Sequence, residues 1–181
     1  VAAINGLTYL YGLVLAKNPA YLALDTNRYF RQRRGAAAAP AWTPELGEKL
    51  GQAGRLMQDK KWPEAEAALK ELAAAQPTVA LLQYNLACCR ARQGKNDEAL
   101  LHYNLSKGLD SMNTDLYVDL GSLFLNLRQW DKAQAEFSRA LELEPKNKKA
   151  LNNMGVVMLH RGEVERAVAW FTAALAVAPD Y

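Results

Sequence analysis

The sequence predicts an all-α protein of stacked antiparallel helix pairs, and three observations carry that prediction. First, the 181 residues include only 7 prolines and 11 glycines. Long segments are rich in Ala, Leu, Glu, Lys and Arg, which lose little on entering a helix. Second, residues of like size return every 34 positions: Ala65, Ala99, Ala133 and Ala167; Leu69, Tyr103, Phe137 and Phe171; Ala53, Ala87, Gly121 and Gly155. Third, within each period apolar residues recur twice at helical spacing, with a polar break such as "RQGKNDE" or "RQWDK" between the two runs.

Each period therefore reads as one helical hairpin, giving four units over residues 46–79, 80–113, 114–147 and 148–181. Leu72, Ser106, Ala140 and Ala174 extend the register, as do Pro77, Pro145 and Pro179, with Ser111 in the remaining slot. The prolines end a second helix and hand the chain to the next unit. Small residues at Gly121 and Ala133, or Gly155 and Ala167, let paired helices approach closely, and Phe137 and Phe171 fill the space beside them. The first two units depart from this pattern. Lys49 and Gln83 stand where a large apolar residue is expected, and Arg90 stands where the later units have Phe124 and Met158. Those units are expected to be less regular, with the Arg90 stem lying along the surface and its charge in solvent.

The segments "YVDLGSLFLNLRQWDKAQAEFSRALELEP" and "LNNMGVVMLHRGEVERAVAWFTAALAVAP" resemble tetratricopeptide repeats (TPRs). The resemblance covers residues 46–181 and rests on a 34-residue period sustained over four units. It implies a right-handed α-solenoid, a TPR superhelix whose concave groove is lined by the first helix of each pair. It also implies a non-enzymatic role in holding protein or peptide partners.

Residues 1–35 stand outside the register, because Arg31 would occupy the slot held by the four alanines. They read as a separate N-terminal helical hairpin. "AINGLTYLYGLVLAK" is apolar nearly all round, Asn18 and Pro19 supply a cap and a first turn, and Leu22, Tyr29 and Phe30 share a side of the second helix. Gly35 closes it, and residues 36–45 form a linker. A helix apolar on every side needs cover, from the first repeat or from a second copy. The alternative is membrane association through residues 1–34. The run from Val1 to Ala16 is shorter than the ~20 residues of a spanning helix. Arg28, Arg31, Arg33 and Arg34 would then form its cytoplasmic flank. Cys88 and Cys89 are neighbours and cannot pair within a helix, so a reducing, cytoplasmic setting is expected. Membrane attachment, or export with a signal removed ahead of Val1, is the alternative localisation.

The candidate binding residues come from the face of each first helix that points away from its packing stripe. In the last unit Leu151, Met154, Gly155 and Met158 form the stripe, leaving Asn152, Asn153, Val156, Leu159 and His160 off it. Adjacent asparagines weaken a helix, so the pair asks for a role. One and two repeat steps before Asn153 stand Asp119 and Asn85. An amide both donates and accepts, matching the unpaired groups of an extended peptide. Asn152, Tyr84 and Val118, at the preceding position, would meet ligand side chains. Asp115 and Asp119 lie four apart on one helix and would favour a Lys or Arg in the ligand. Cys88, Ser122, Lys149 and His160 complete the candidate groove.

The TPR resemblance sharpens two points. A similar asparagine ladder occurs in the O-linked N-acetylglucosamine transferases, which implies a grip on peptide main chain; here Asp119 replaces the middle amide and Gly51 gives the first unit none. TPR domains that capture chaperone C-terminal tails use Lys, Asn, Asn, Lys and Arg at set groove positions. Tyr84, Cys88, Asp119, Lys149 and Asn153 stand there in this chain, and only Lys149 agrees. Chaperone tails are disfavoured.

Other chemistries find little support. The two histidines, His102 and His160, belong to no metal-spaced cluster or nucleophile–base set, and there is no glycine-rich phosphate loop. No catalytic residue, metal or cofactor is expected. "RYFRQRR" and "KNKK" are basic, but a net charge of +3 is a weak footprint for nucleic acid. The expected function is a non-enzymatic adaptor or scaffold that binds an extended peptide or protein segment in the groove. The alternative is a self-assembling or membrane-associated scaffold. In that reading homo-oligomers form through the hairpin or through an uncapped last repeat, where Val168, Phe171 and Leu175 make an apolar edge.

Overall fold

The computed structural model describes residues 43–177. The predicted hairpin, most of the linker and Pro179 lie outside the described residues. Among the described residues there are eight helices: α1 (Pro44–Gln58), α2 (Trp62–Ala75), α3 (Ala80–Arg92), α4 (Asn96–Leu109), α5 (Thr114–Asn126), α6 (Trp130–Leu143), α7 (Lys148–His160) and α8 (Val164–Val177). They pack as antiparallel pairs, α1 with α2, α3 with α4, α5 with α6 and α7 with α8.

Local chemistry sets the boundaries. The Thr43 hydroxyl accepts from the backbone N–H of Leu46, Asn113 Oδ1 from Leu116 and Asn147 Oδ1 from Ala150, at 3.2, 3.2 and 3.0 Å. Each satisfies a donor that the first turn of its helix leaves orphaned. Thr43 and Pro44 start α1 two residues before the predicted unit begins. The second helices α2 and α6 stop just ahead of Pro77 and Pro145. Inside each pair the reversal uses a left-handed residue at one repeat position: Lys60 (φ 58°), Gly94 (75°), Arg128 (58°) and Gly162 (78°).

The described helices divide into two compact units, with the boundary after Leu109. In the first, Leu50 and Ala53 of α1, Leu69 and Leu72 of α2, and Leu82, Leu86 and Cys89 of α3 form one core. In the second, Ala133 and Phe137 of α6 pack with Met154, Val157 and Met158 of α7 and Ala167 of α8. An aromatic residue at the start of a second helix closes each unit at the same register position. The Arg92 guanidinium lies over Trp62 at 6.0 Å, and His160 stacks on Trp130 with ring centroids 4.4 Å apart and planes within 5°.

One expectation about the first two repeats needs correcting, that for Arg90. The polar residue at Gln83 leaves helix length unchanged, α3 having 13 residues as do α5 and α7, whereas α1 has 15. Gln83 is buried yet satisfied, its Nε2 donating to the Pro77 carbonyl at 3.1 Å and its Oε1 lying 2.7 Å from His102 Nδ1. Arg90 does not reach solvent. It is 8% exposed, and its Nε donates to Glu66 Oε1 at 3.2 Å. Glu66 is itself 3% exposed and also takes Gln93 and Lys95 at 2.8 Å on Oε2 and Lys70 at 2.8 Å on Oε1. A buried carboxylate needs this much compensation, and it draws the guanidinium inward.

Candidate peptide-binding face

Helices α5 and α7, the first helices of consecutive pairs in the second unit, bring the largest group of candidate residues together. Asn153 on α7 donates from Nδ2 to the Ser122 hydroxyl on α5 at 3.2 Å, and Ser122 donates onward to the Val118 carbonyl at 2.8 Å. The relay fixes the Asn153 amide. Its nitrogen faces α5, so Oδ1 and the second N–H point elsewhere. Asn152 and Asn153 are both half-buried, and Lys149 is exposed one turn earlier. Asp115 and Asp119 are half-buried on α5 one turn apart, and neither lacks a partner.

Other candidates sit differently from expectation. Val118 is 3% exposed and is a core residue, so its contribution to the relay is its carbonyl and not its side chain. His160 is exposed, but its ring lies flat on Trp130 beside the turn into α8, where Arg161 joins Asp131 and Gln134. The sequence offered a signal for this pairing. Trp62 and Arg92 stand two repeat steps before Trp130 and His160, and each pair closes its own unit.

In the first unit the candidates lie on α3. Tyr84 is 8% exposed, its ring 6.2 Å from that of Tyr103, so it too is largely core. Asn85 and Cys88 are half-buried, and the Tyr103 hydroxyl lies 3.6 Å from Cys88 Sγ. Neither cysteine is in a disulfide. Cys89 is fully buried, and desolvation, with the nearby Glu66 charge, pushes its pKa up to about 12. His102 is shifted below its ordinary value, first by burial and then by the Arg90 charge. The shift favours a neutral ring that donates from Nδ1 to Gln83. Among the described residues no cluster of three or more His, Cys, Asp or Glu could hold a metal ion, and no helix is long and apolar enough to cross a membrane.

Comparison with known proteins matches this geometry to one family. A tetratricopeptide repeat model matches residues 50–111 and again 118–181. Human protein O-mannosyl-transferase TMTC3 is 43% identical over 58 residues, 32% of this chain and 6% of that protein. The crystal structure of MamA superposes with a TM-score of 0.68 at 20% identity, covering 73% of this chain and 77% of that one. The first TPR of Spaghetti (RPAP3), bound to the HSP90 peptide SRMEEVD, superposes with a TM-score of 0.59 at 25% identity over 61% of this chain and 88% of that one. The chain spans between 4% and 25% of the length of the curated relatives it matches. With the 34-residue period, the paired helices and the two matched blocks in agreement, this chain belongs to the tetratricopeptide repeat family.

Proposed function

We propose that this chain is a non-enzymatic adaptor that holds an extended protein segment on the faces of its first helices, with Asn153 gripping the ligand main chain. TPR domains generally bind proteins or peptides, and a similar structure was determined with a peptide bound. The observation that carries the reading is the Asn153–Ser122–Val118 relay. It holds one amide in a fixed orientation with an acceptor and a donor to spare, the pair of functions that an extended backbone presents. Preorganisation of this kind removes part of the ordering cost of binding.

Asn85, two repeat steps earlier, would repeat the contact on α3, and Asn152 would meet ligand side chains. Asp115 and Asp119 favour a ligand bearing Lys or Arg over one ending in a free carboxylate. That preference argues against chaperone tails, because Asp119 would repel the terminal carboxylate.

Selection of displayed random peptides on the intact chain, followed by calorimetry of the selected peptides, tests the reading. An Asn85→Ala, Asn153→Ala double variant is expected to bind at least tenfold more weakly, about 1.4 kcal/mol. Lys-to-Glu changes in the peptide are expected to weaken it further. Equal affinity of the double variant and the parent for every selected peptide would overturn the assignment.

A further inference from the structure

The face that carries Asn153 is sorted by height along its helices. As first helices of successive antiparallel pairs, α5 and α7 run in the same direction. The contact of Asn153 Nδ2 with Ser122 Oγ at 3.2 Å sets the amide level with Ser122. Toward the helix N-termini from that level stand Asp119 and Asp115 on α5 and Lys149 on α7. Toward the C-termini stand Leu125 on α5 and Val156 on α7, both half-buried, with Leu159 exposed beyond them. Three residues of helix, about 4.5 Å, separate Ser122 from Asp119 on one side and from Leu125 on the other. The apolar row is open within the array itself. Leu125 and, two repeat steps earlier, Met57 both stay half-buried although a further helix pair stacks beyond each.

An extended chain carries its N–H and C=O groups at right angles to its side chains, which alternate between two sides. A main chain bonded to Asn153 from above therefore sends one set of side chains toward the N-terminal ends of α5 and α7 and the other set toward their C-terminal ends. We propose, on the footing of the main-chain grip at Asn153, that the ligand is an extended segment in which a Lys or Arg is flanked on both sides by apolar residues. The cation turns toward Asp115 and Asp119, and its two neighbours turn toward Leu125, Val156 and Leu159. Helix α5 carries those two carboxylates and no basic residue. Both aspartates have partners in the fold, and a ligand cation adds to these, because a carboxylate accepts about four hydrogen bonds. Lys149 on α7 confines the cation to the α5 end of the ligand. Packed helix axes lie about 8–10 Å apart, roughly three extended residues, so one short segment reaches both helices.

Two blocked peptides of one composition test the alternation on the full 181-residue chain. Between identical Gly-Ser flanks, one holds Ser-Val-Lys-Val-Ser, with Lys and Val on opposite sides of an extended chain, and the other Val-Ser-Lys-Ser-Val, with all three on one side. Calorimetry is expected to give the first an affinity at least tenfold above the second and above Ser-Val-Glu-Val-Ser. An Asp115→Asn, Asp119→Asn variant should lose most of the Lys-over-Glu preference. A Val156→Ser, Leu159→Ser variant should lose most of the preference between the two arrangements. Equal affinity for both arrangements, or no binding of the first at about 1 mM, would overturn this ligand class. The main-chain grip fails by a different result, unchanged binding of selected peptides by the Asn85→Ala, Asn153→Ala variant. That variant losing affinity for selected peptides while the two arrangements bind alike would leave the grip standing and remove the alternation alone.

Discussion

A Cβ added to Gly121 would lie 2.6 Å from Cε1 of Phe137 and 2.8 Å from its Cδ1, inside the distance at which a methyl can rest on a ring. Gly155 stands in the same relation to Phe171. At the same register Ala53 stands opposite Leu69 and Ala87 opposite Tyr103, so the close approach of glycine and ring belongs to the third and fourth repeats. Phe137 is fully buried and has nowhere to swing. Gly121→Ala is therefore expected to lower stability by about 1 kcal/mol net, because overpacking of 1–3 kcal/mol exceeds the helical gain over glycine. Adding Phe137→Leu should recover part of that loss. Urea unfolding of both single variants and the double variant reads the coupling, and simple additivity would contradict the contact.

The left-handed turn residues invite the opposite substitution. Gly94 and Gly162 hold φ of 75° and 78° at no steric cost, whereas Lys60 and Arg128 hold 58° with a Cβ. A side chain in that region costs about 1–2 kcal/mol, partly offset because glycine loses more backbone freedom on folding. Lys60→Gly and Arg128→Gly are expected to raise stability by about 0.5 kcal/mol each. Gly162→Ala should lower it by about 1 kcal/mol. Both shifts are measurable in denaturant midpoints, and a loss in both glycine variants would show that the lysine and arginine side chains contribute contacts that outweigh the strain.

The period, the helix pairing and the small-residue positions were legible in the sequence because each depends on spacing along one chain. The burial of Arg90 was not, since its partner Glu66 lies 24 residues away on another helix. A signal was nonetheless present. Glu66 occupies the position of Leu100 and Val168, and Arg90 that of Leu56, Phe124 and Met158, so two opposite charges intrude together where the register is otherwise mainly apolar. The candidate site was partly legible. Helical periodicity set Asn152 and Asn153, both half-buried, off the buried stripe of α7, but it could not reveal that Tyr84 and Val118 are enclosed. Enclosure depends on neighbouring helices, which a single-helix projection omits.

The Glu66 cluster predicts a specific loss of stability in acid. Burial alone would raise the Glu66 pKa, but hydrogen bonds from Lys70, Lys95, Gln93 and Arg90 outweigh it and hold the carboxyl well below the ordinary range. A carboxyl whose pKa is lower folded than unfolded stabilises the fold above its unfolded value of about 4.3. That contribution is lost as pH falls from there toward the folded value. Glu66→Gln is expected to cost about 3 kcal/mol near neutrality by leaving Arg90 poorly compensated. The gap between parent and variant should narrow below about pH 4. Chemical unfolding between pH 3 and 7 tests the sign, and a gap that widened in acid would refute this assignment.

The adjacent thiols should react at very different rates. Cys89 is fully buried, and desolvation and the Glu66 charge raise its pKa to about 12, so the native protein holds almost no thiolate there. Cys88 is half-buried beneath the Tyr103 hydroxyl and retains access to solvent. An aromatic disulfide reagent at pH 8 is expected to modify one thiol per native chain, and Cys88→Ser should abolish that phase. The second thiol should react only at the rate at which the first unit opens, so its rate should rise with denaturant and fall in variants that stabilise the α2–α3 packing. Prompt reaction of Cys89 in the native protein would mean that the core around α3 opens far more readily than its packing implies.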